Sequence, residues 1–197
     1  MSAPSAPPAF AVFASGAGSN LQRFIAETQA GAFPATLALV VSDRPGCPAL
    51  ERARAAGIAT CAFAPTDYAA KSDYERAILA ELRARAVRWI VLAGYMRLIG
   101  PTLLEPYRDG IVNVHPSLLP AFPGRDAIGQ ALRAGVPETG VTVHLVDEGI
   151  DTGPVLAQEA VPILPGDSAD TLAARIHAVE HRLYPAVVRG WMGRGRQ

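Results

Sequence analysis

The sequence predicts an α/β fold in which a mostly parallel, twisted β-sheet lies between two layers of helices. In the first half of the chain, short apolar runs alternate with segments of helical spacing. This alternation is typical of parallel strands joined by right-handed helical crossovers. Beyond Ile111 the pattern changes, and the runs at 141–146 and 155–163 alternate polar and apolar residues, which favours antiparallel pairing. The predicted class is a Rossmann-like three-layer sandwich with antiparallel strands at its C-terminal side.

Each element follows from its local pattern. The run 89–93 is apolar throughout, as expected of a strand buried on both faces. The segment 68–86 has helical spacing and carries charges such as Glu75 on its outer face. Asp167 or Ser168 can cap the last helix. In chain order we predict strands at 10–14, 36–42, 58–63, 89–93, 111–115, 141–146 and 155–163, and helices at 21–30, 48–56, 68–86 and 168–190.

Length and composition indicate one globular domain. The chain has 197 residues, 50% of them hydrophobic and 18% charged, with a net charge of zero. We expect a single domain at 10–191, a Ser/Ala/Pro-rich disordered tail at 1–9 and a short tail at 192–197. Scattered arginines and the lack of a long apolar run argue against nucleic-acid and membrane partners. The two cysteines, Cys47 and Cys61, match no zinc or redox spacing, so we expect a reduced, cytoplasmic protein.

A glycine-rich loop follows the first strand and opens a helix. Residues 16–20 read Gly-Ala-Gly-Ser-Asn. Glycines let the backbone approach a ligand, and a helix start supplies free N–H groups with partial positive charge, which suits a phosphate. Leu21 stands where a dinucleotide-binding loop has its third glycine, and Asp43 is only approximately where a ribose-binding acid belongs. The loop therefore predicts a phosphate site, with an ordinary strand-to-helix turn as the alternative.

Two polar side chains lie at the end of the strand at 111–115. Asn113 and His115 are two residues apart, so they project to one face of the strand. The loop at 147–154 offers a carboxylate, Asp151, for this pair. Amide, imidazole and carboxylate together can stabilise a developing oxyanion and move a proton. Taken singly, each feature is more typical of a structural role than of catalysis: a histidine hydrogen-bonded in the core, or an ordinary Asp-Gly turn.

Four segments together resemble one enzyme family. They read Ser-Gly-Ala-Gly-Ser-Asn-Leu at 15–21, Leu-Ala-Gly-Tyr-Met-Arg-Leu-Ile at 92–99, Asn-Val-His-Pro-Ser-Leu-Leu-Pro at 113–120 with Pro-Gly at 123–124, and Asp-Thr-Gly-Pro at 151–154. The chain is similar in them to the phosphoribosylglycinamide formyltransferases of the folate-dependent formyltransferase superfamily. The resemblance implies an enzyme that transfers the formyl group of 10-formyltetrahydrofolate to the amine of glycinamide ribonucleotide in purine biosynthesis, without a metal.

The resemblance also implies roles for individual residues. Asn113, His115 and Asp151 form the catalytic set: protonated His115 and the Asn113 amide donate to the formyl oxygen, and Asp151 favours the charged imidazole. Lys71 replaces an arginine that is frequent in the family, which keeps the charge and loses the planar fork. The ribonucleotide-binding residues are Gly18, Ser19, Asn20, His177 and Glu180. The folate-binding residues are Lys71, Met96, Arg97, Leu98, Ile99, Asn113, Asp147, Glu148, Gly149, Ile150 and Asp151.

Two other functions are possible on the same scaffold. A formyltransferase with another acceptor, a sugar nucleotide or a tRNA, uses the same catalytic set, and its acceptor-site loops differ. A sensor of phosphometabolites or folates needs no catalytic set, so the presence of Asn113, His115 and Asp151 argues against it. Small molecules are the expected partners, and both a monomer and a homodimer remain open. We expect His144 and Ser117 to have structural roles, with orientation of Asp151 as the alternative for His144.

Overall fold

The computed structural model describes residues 7–194 and contains a seven-stranded sheet flanked by helices. The strands are β1 (Ala9–Phe13), β2 (Thr36–Ser42), β3 (Thr60–Ala62), β4 (Val87–Leu92), β5 (Ile111–His115), β6 (Glu138–Leu145) and β7 (Val155–Pro162). The helices are α1 (Ser19–Gln29), α2 (Pro48–Ala55), α3 (Lys71–Ala84), α4 (Pro101–Leu104), α5 (Ala127–Ala134) and α6 (Ala169–Gly193).

The order of the strands confirms the predicted fold class. Neighbouring strands run β3-β2-β1-β4-β5-β6-β7. The first five strands in that order pair in parallel, whereas β6 and β7 pair antiparallel. The order reverses at β1, because both β2 and β4 pair with it. Sheets of this kind bind ligands at such a reversal, outside the carboxyl ends of the strands.

Helix α6 is tied to the sheet beside these carboxyl ends. Its first turn is closed by a capping box between Ser168 and Thr171, which confirms one of the two predicted caps. Tyr184 is fully buried, and its hydroxyl lies 2.9 Å from the carbonyl oxygen of Leu92 and 3.0 Å from that of Val112. Burial raises the pKa of Tyr184, so the hydroxyl remains a donor to β4 and β5.

The first strand begins one residue earlier than predicted. Ala9 is buried and pairs with Thr36 of β2, and the carbonyl oxygen of Pro8 accepts from the Thr36 N–H at 2.8 Å. Pro8 and Ala9, the last two residues of the predicted disordered tail at 1–9, therefore pair with β2. This pairing uses the backbone, so it requires no apolar side chain at Pro8. Residues 1–6 of that predicted tail lie outside the described residues.

The last helix is longer than predicted. The predicted end at Gly190 is too early, because Trp191 and Met192 pack into the core and the helix continues to Gly193. Of the predicted tail at 192–197, residues 195–197 lie outside the described part of the chain. Within the described residues no helix, α6 included, is both long and apolar enough to cross a membrane.

Two short helices were not predicted. Helices α4 and α5 span four and eight residues. Helical periodicity becomes clear only over a window of about 11 residues or more, so elements of this length give little signal. The predicted strand at 58–63 is also shorter in the structure, because only Thr60–Ala62 pair with β2 at the edge of the sheet.

Candidate active site

A cavity of about 1270 Å³ opens at the carboxyl ends of β1, β4 and β5. It joins the glycine loop, where a helix begins, to the strand end that carries Asn113 and His115. Its position is the point where the strand order reverses, which is where ligands bind in such sheets. The segments that contribute to its wall are 16–20, 92–101, 113–116, 124–128 and 146–151, with two residues of α6.

His115, the last residue of β5, is 5% exposed and uses both ring nitrogens. Its Nδ1 lies 3.3 Å from Oδ2 of Asp151, and its Nε2 lies 2.8 Å from the carbonyl oxygen of Phe122. Both partners are acceptors, whereas a neutral imidazole has a single N–H to donate. The two contacts are satisfied together only when the ring carries two protons, so the geometry favours the imidazolium form.

Asp151 lies between two histidines. Its Oδ2 accepts from the Gly124 N–H at 2.8 Å and faces His115, and its Oδ1 lies 3.5 Å from Nε2 of His144. Burial opposes ionisation of this carboxyl, but hydrogen bonds from His144 and Gly124 and the charges of both imidazoles outweigh it. The pKa of Asp151 is therefore lower than its ordinary value, and the group is an anion at neutral pH.

Asn113 contacts His144, for which we expect a structural role, with orientation of Asp151 as the alternative. The two residues are paired across β5 and β6, and Nδ2 of Asn113 lies 3.3 Å from Nε2 of His144. The Nδ1 of His144 lies 2.8 Å from the carbonyl oxygen of Leu145 and carries a proton there, while its Nε2 faces both the amide of Asn113 and, at 3.5 Å, Oδ1 of Asp151. His144 thus touches both Asn113 and Asp151, and the structure brings the three predicted catalytic residues together around it.

The glycine loop presents the start of α1 to the cavity. Gly18 caps this helix with a left-handed φ of 74°, and a Cβ atom at this position would lie 2.9 Å from Ala49. Only glycine allows this close approach of the loop to α2. Ser19 and the next residues expose backbone N–H groups that have no partner inside the helix, as an anion site requires.

The side chain of Asn20 points at Glu180 of α6. Its Nδ2 donates to Oε2 of Glu180 at 2.8 Å, and both side chains are buried. Burial raises the pKa of Glu180, while the Asn20 hydrogen bond and the charges of His177 and His115 act against this shift. The predicted ribonucleotide-binding residues therefore line the same cavity, and one hydrogen of the Asn20 amide is directed at Glu180.

The segment predicted to bind folate is held by an acidic residue that we had considered for a ribose. Asp43 is 7% exposed; it accepts from Ser15 Oγ and lies 3.2 Å from Nε of Arg97. Ser15 Oγ in turn accepts from the Met96 N–H at 2.9 Å. Asp43 therefore fixes the segment and is not free for a ribose. Apolar side chains around the cavity are exposed, namely Met96 (60%), Leu98 (61%) and Ile150 (53%), while Ile99 is partly buried.

The remaining predicted folate contacts border the cavity with their charges already paired. Lys71 Nζ lies 3.7 Å from Oε1 of Glu75, and the lysine side chain is 54% exposed. Glu75 itself is buried, so its predicted position on the outer face of α3 is wrong. Asp147 accepts from the Gly149 N–H at 3.0 Å and from the hydroxyl of Thr152 at 2.7 Å, which shapes its own loop. Glu148 forms an exposed pair with Arg108 at 3.6 Å. All five residues of the loop at 147–151 line the cavity.

Fold and site define a class of protein: a Rossmann-like α/β domain whose cavity joins the start of a helix to an Asn–His–Asp set. Among residues 7–194, no group of three His, Cys, Asp or Glu side chains could hold a metal ion. A family model described as Formyl transferase matches residues 9–188, and the chain belongs to this family. The match confirms the family that the sequence resemblance predicted.

Individual relatives are similar over nearly their whole length. The phosphoribosylglycinamide formyltransferase of Bacillus subtilis is 51% identical over 184 residues, which cover 93% of this chain and 94% of that protein. The protein of the same name from Escherichia coli is 40% identical over 94% of this chain and 87% of its own length. A crystal structure of glycinamide ribonucleotide transformylase 1 from Geobacillus kaustophilus matches with a TM-score of 0.91 and 58% identity, over 93% of this chain and 98% of that chain.

Proposed function

We propose that this chain transfers the formyl group of 10-formyltetrahydrofolate to the amine of glycinamide ribonucleotide, which yields formylglycinamide ribonucleotide and tetrahydrofolate. The observation that carries the proposal is the continuous cavity between the start of α1 and the Asn113–His115–Asp151 set. A phosphate held at Gly18 and Ser19 directs the rest of a ribonucleotide along this cavity toward the catalytic side chains. The chemistry is the one implied by the family and by the names of its relatives.

The cavity fits two substrates better than one. Its volume of about 1270 Å³ exceeds the ~300–1,000 Å³ typical of a site for one small ligand. One end offers backbone N–H groups, and the other is lined by the exposed apolar side chains of Met96, Leu98 and Ile150. A charged ribonucleotide suits the first end and the flat, largely apolar ring system of a folate suits the second. The two would meet beside Asn113 and His115.

The catalytic side chains act on the formyl oxygen. The folate supplies the electrophilic carbon, a C–N bond to the amine forms, the bond to N10 breaks, and negative charge gathers on the oxygen in between. Nδ2 of Asn113 has two hydrogens, and with one directed at His144 the other is free for this oxygen. Because Nε2 of His115 is held by Phe122, the donor for the formyl oxygen is Nδ1–H, which His115 shares between this oxygen and Oδ2 of Asp151. Such preorganised donors typically contribute ~100- to 1000-fold each to the rate.

Asp151 stabilises the imidazolium form of His115 and transfers the proton that the attacking amine loses. Its carboxylate faces His115 at 3.3 Å and is an anion at neutral pH, so it stabilises the imidazolium. The same carboxylate can accept the proton that the attacking amine loses and return it, directly or through a water, to the departing nitrogen. No covalent bond to the enzyme is formed in this sequence of steps.

The proposal includes small-molecule substrates, a cytoplasmic location and either a monomer or a homodimer. Small substrates agree with the family. The location is inferred from the two cysteines, Cys47 and Cys61, which match no zinc or redox spacing, and the sequence does not distinguish a monomer from a homodimer. Size-exclusion chromatography with light scattering at several concentrations distinguishes the monomer from the homodimer.

Substitution of His115 by alanine tests the proposed function. We expect formyl transfer to fall by at least ~100-fold, while binding of glycinamide ribonucleotide, measured by calorimetry, is retained because the phosphate site is at the other end of the cavity. The unsubstituted chain is also assayed with sugar-nucleotide amines and with aminoacylated tRNA as acceptors. Equal turnover in His115→Ala contradicts the catalytic assignment, and transfer only to another acceptor contradicts the proposed substrate.

A further inference from the structure

We propose that Gln130 of α5 is a positioning residue for the catalytic pair: its side-chain amide holds the backbone of residues 122–125, and that backbone in turn holds His115 and Asp151. The inference rests on the proposed function for its kinetic consequence. Gln130 itself touches neither substrate-facing side chain, so it acts through the loop. Along residues 122–125, backbone contacts to a catalytic side chain alternate with backbone contacts to Gln130, and this alternation makes the assignment specific.

Two backbone groups of this loop contact the catalytic residues directly. The carbonyl oxygen of Phe122 lies 2.8 Å from Nε2 of His115. The N–H of Gly124, two residues later, donates to Oδ2 of Asp151 at 2.8 Å. One loop segment therefore supplies an acceptor to the imidazole and a donor to the carboxylate. A shift of this segment alters both members of the pair at once.

The carbonyl groups of the two residues that flank Gly124 contact Gln130. Its Nε2 donates to the carbonyl oxygen of Pro123 at 3.2 Å and to that of Arg125 at 2.8 Å. Both hydrogens of the amide are used, one on either side of Gly124. Gln130 is itself fixed, because its backbone N–H donates to the carbonyl oxygen of Asp126 at 2.8 Å in the first turn of α5.

The loop needs such support because its conformation is unfavourable for the residues it contains. Phe122 has a φ of 54° and Gly124 a φ of 76°. The left-handed region is a poor conformation for phenylalanine, which has a Cβ atom, although glycine adopts it freely. Ser117 holds the loop from its N-terminal side by donating to the carbonyl oxygen of Ala121. Gln130 is the corresponding restraint on the C-terminal side.

Loss of the Gln130 hydrogen bonds should change the pKa of Asp151. The groups that face Asp151 are His115 of β5, His144 of β6 and the Gly124 N–H, and the charge of His115 also acts on Glu180 of α6. The Gly124 hydrogen bond is one of the contacts that lower the pKa of Asp151. When the loop withdraws, this pKa moves up toward its ordinary value, and His115 loses the carbonyl acceptor at Nε2.

The first test compares Gln130→Ala and Gln130→Met with Arg133→Ala. Methionine keeps the volume of glutamine but has no N–H donor, so it separates the hydrogen bonds from packing. Arg133 lies on the same helix and pairs with exposed Asp126, so its variant is a control for changes in α5. Because misplacement by about 1 Å costs on the order of 100-fold in rate, we expect kcat to fall about that much in both Gln130 variants, with KM values nearly unchanged. The acid limb of the pH–rate profile should move to higher pH.

The second test does not depend on turnover. In ¹⁵N spectra of the histidine rings, Nε2 of His115 in the unsubstituted chain should carry a proton at every pH, because Phe122 offers it only an acceptor. In both Gln130 variants the neutral ring should distribute its proton over both nitrogens. Unchanged ring spectra together with an unchanged pH–rate profile overturn the proposal, even if the variants melt at lower temperature. An unsubstituted chain that transfers no formyl group contradicts the proposed function instead, and the spectra still decide the role of Gln130.

Discussion

Replacement of Asp151 by asparagine removes one negative charge from between two histidines and changes little else. Asparagine has the same shape and tolerates the left-handed φ of 55° at this position as well as aspartate does. Its amide oxygen can still accept from the Gly124 N–H. The carboxylate oxygens lie 3.3 Å from His115 and 3.5 Å from His144, so each ring loses an anionic partner. We therefore expect a folded protein in which His115 is no longer held as the imidazolium.

The expected loss of rate follows from these distances. Two unit charges about 4 Å apart interact with about 4 kcal/mol at an effective dielectric constant of about 20. This energy is an upper limit here, because the Asp151 side chain is 13% exposed and solvent screens part of the interaction. It corresponds to about three orders of magnitude in rate. Loss of one donor to an oxyanion typically costs ~100- to 1000-fold, so we expect kcat of Asp151→Asn to fall within that range.

The assay is steady-state release of deformylated folate, followed spectrophotometrically from pH 5 to 9, about the range in which histidine titrates. Because His115 and His144 both lose their anionic partner, the rate of Asp151→Asn should be lower than that of the unsubstituted chain across this pH range. Asp109→Asn is the matched control, since Asp109 is exposed and has a similar φ of 57°. An Asp151→Asn variant with undiminished kcat and the original pH profile refutes the reasoning.

The pH dependence of the free energy of unfolding tests the same carboxylate independently of the rate. A group whose pKa is lowered by folding stabilises the protein above its unfolded pKa, and this contribution is lost as the pH falls through the folded pKa. The pKa of Asp151 is lowered. The difference in free energy of unfolding between the unsubstituted chain and Asp151→Asn should thus be largest near neutral pH and shrink below about pH 4, the ordinary value for aspartate. A difference that is constant with pH contradicts this.

Two further substitutions test the other end of the cavity. Gly18→Ala should weaken ribonucleotide binding and destabilise the fold by more than about 1 kcal/mol, because the added Cβ would lie 2.9 Å from Ala49. Gly57→Ala is the control: Gly57 has a similar φ of 73°, but its added Cβ would meet no atom within 4 Å, so this variant measures the cost of the backbone conformation alone. Equal melting temperatures of the two glycine variants would exclude the clash. Glu180→Gln should raise the ribonucleotide KM by ~10- to 100-fold, as expected for a lost hydrogen bond to a charged group. Since burial raises the pKa of Glu180, ionising it costs stability, so the Gln variant should gain stability relative to the unsubstituted chain as the pH rises; a relative loss would show that Asn20 favours the anion.

The strand that carries the catalytic pair was predictable because its information is local. The spacing of Asn113 and His115 fixes their common face from the pleat of a strand alone, and the apolar run before them fixes the strand. The glycine loop was predictable for the same reason, since Gly18 has the left-handed φ that a helix start of this kind uses. The change of pairing beyond Ile111 was also visible as alternation in the sequence.

The rest of the site depends on contacts between distant segments. His144 meets Asn113 only through the antiparallel register of β5 and β6, which no local pattern determines. Asp43 meets Arg97 because β2 and β4 lie on either side of β1. The acceptor for Nε2 of His115 is a backbone carbonyl, a group that every residue has, so the sequence offers no signal for it.

The most direct test follows the formyl carbon itself. The protein is mixed with 10-formyltetrahydrofolate labelled with ¹³C in its formyl group and with glycinamide ribonucleotide, and the label is followed by NMR. If Asn113, His115 and Asp151 act together on the formyl oxygen, the label moves to the glycinamide nitrogen, and the transfer is slowed in His115→Ala. Label that stays on the folate, or that appears only as free formate, contradicts the central claim.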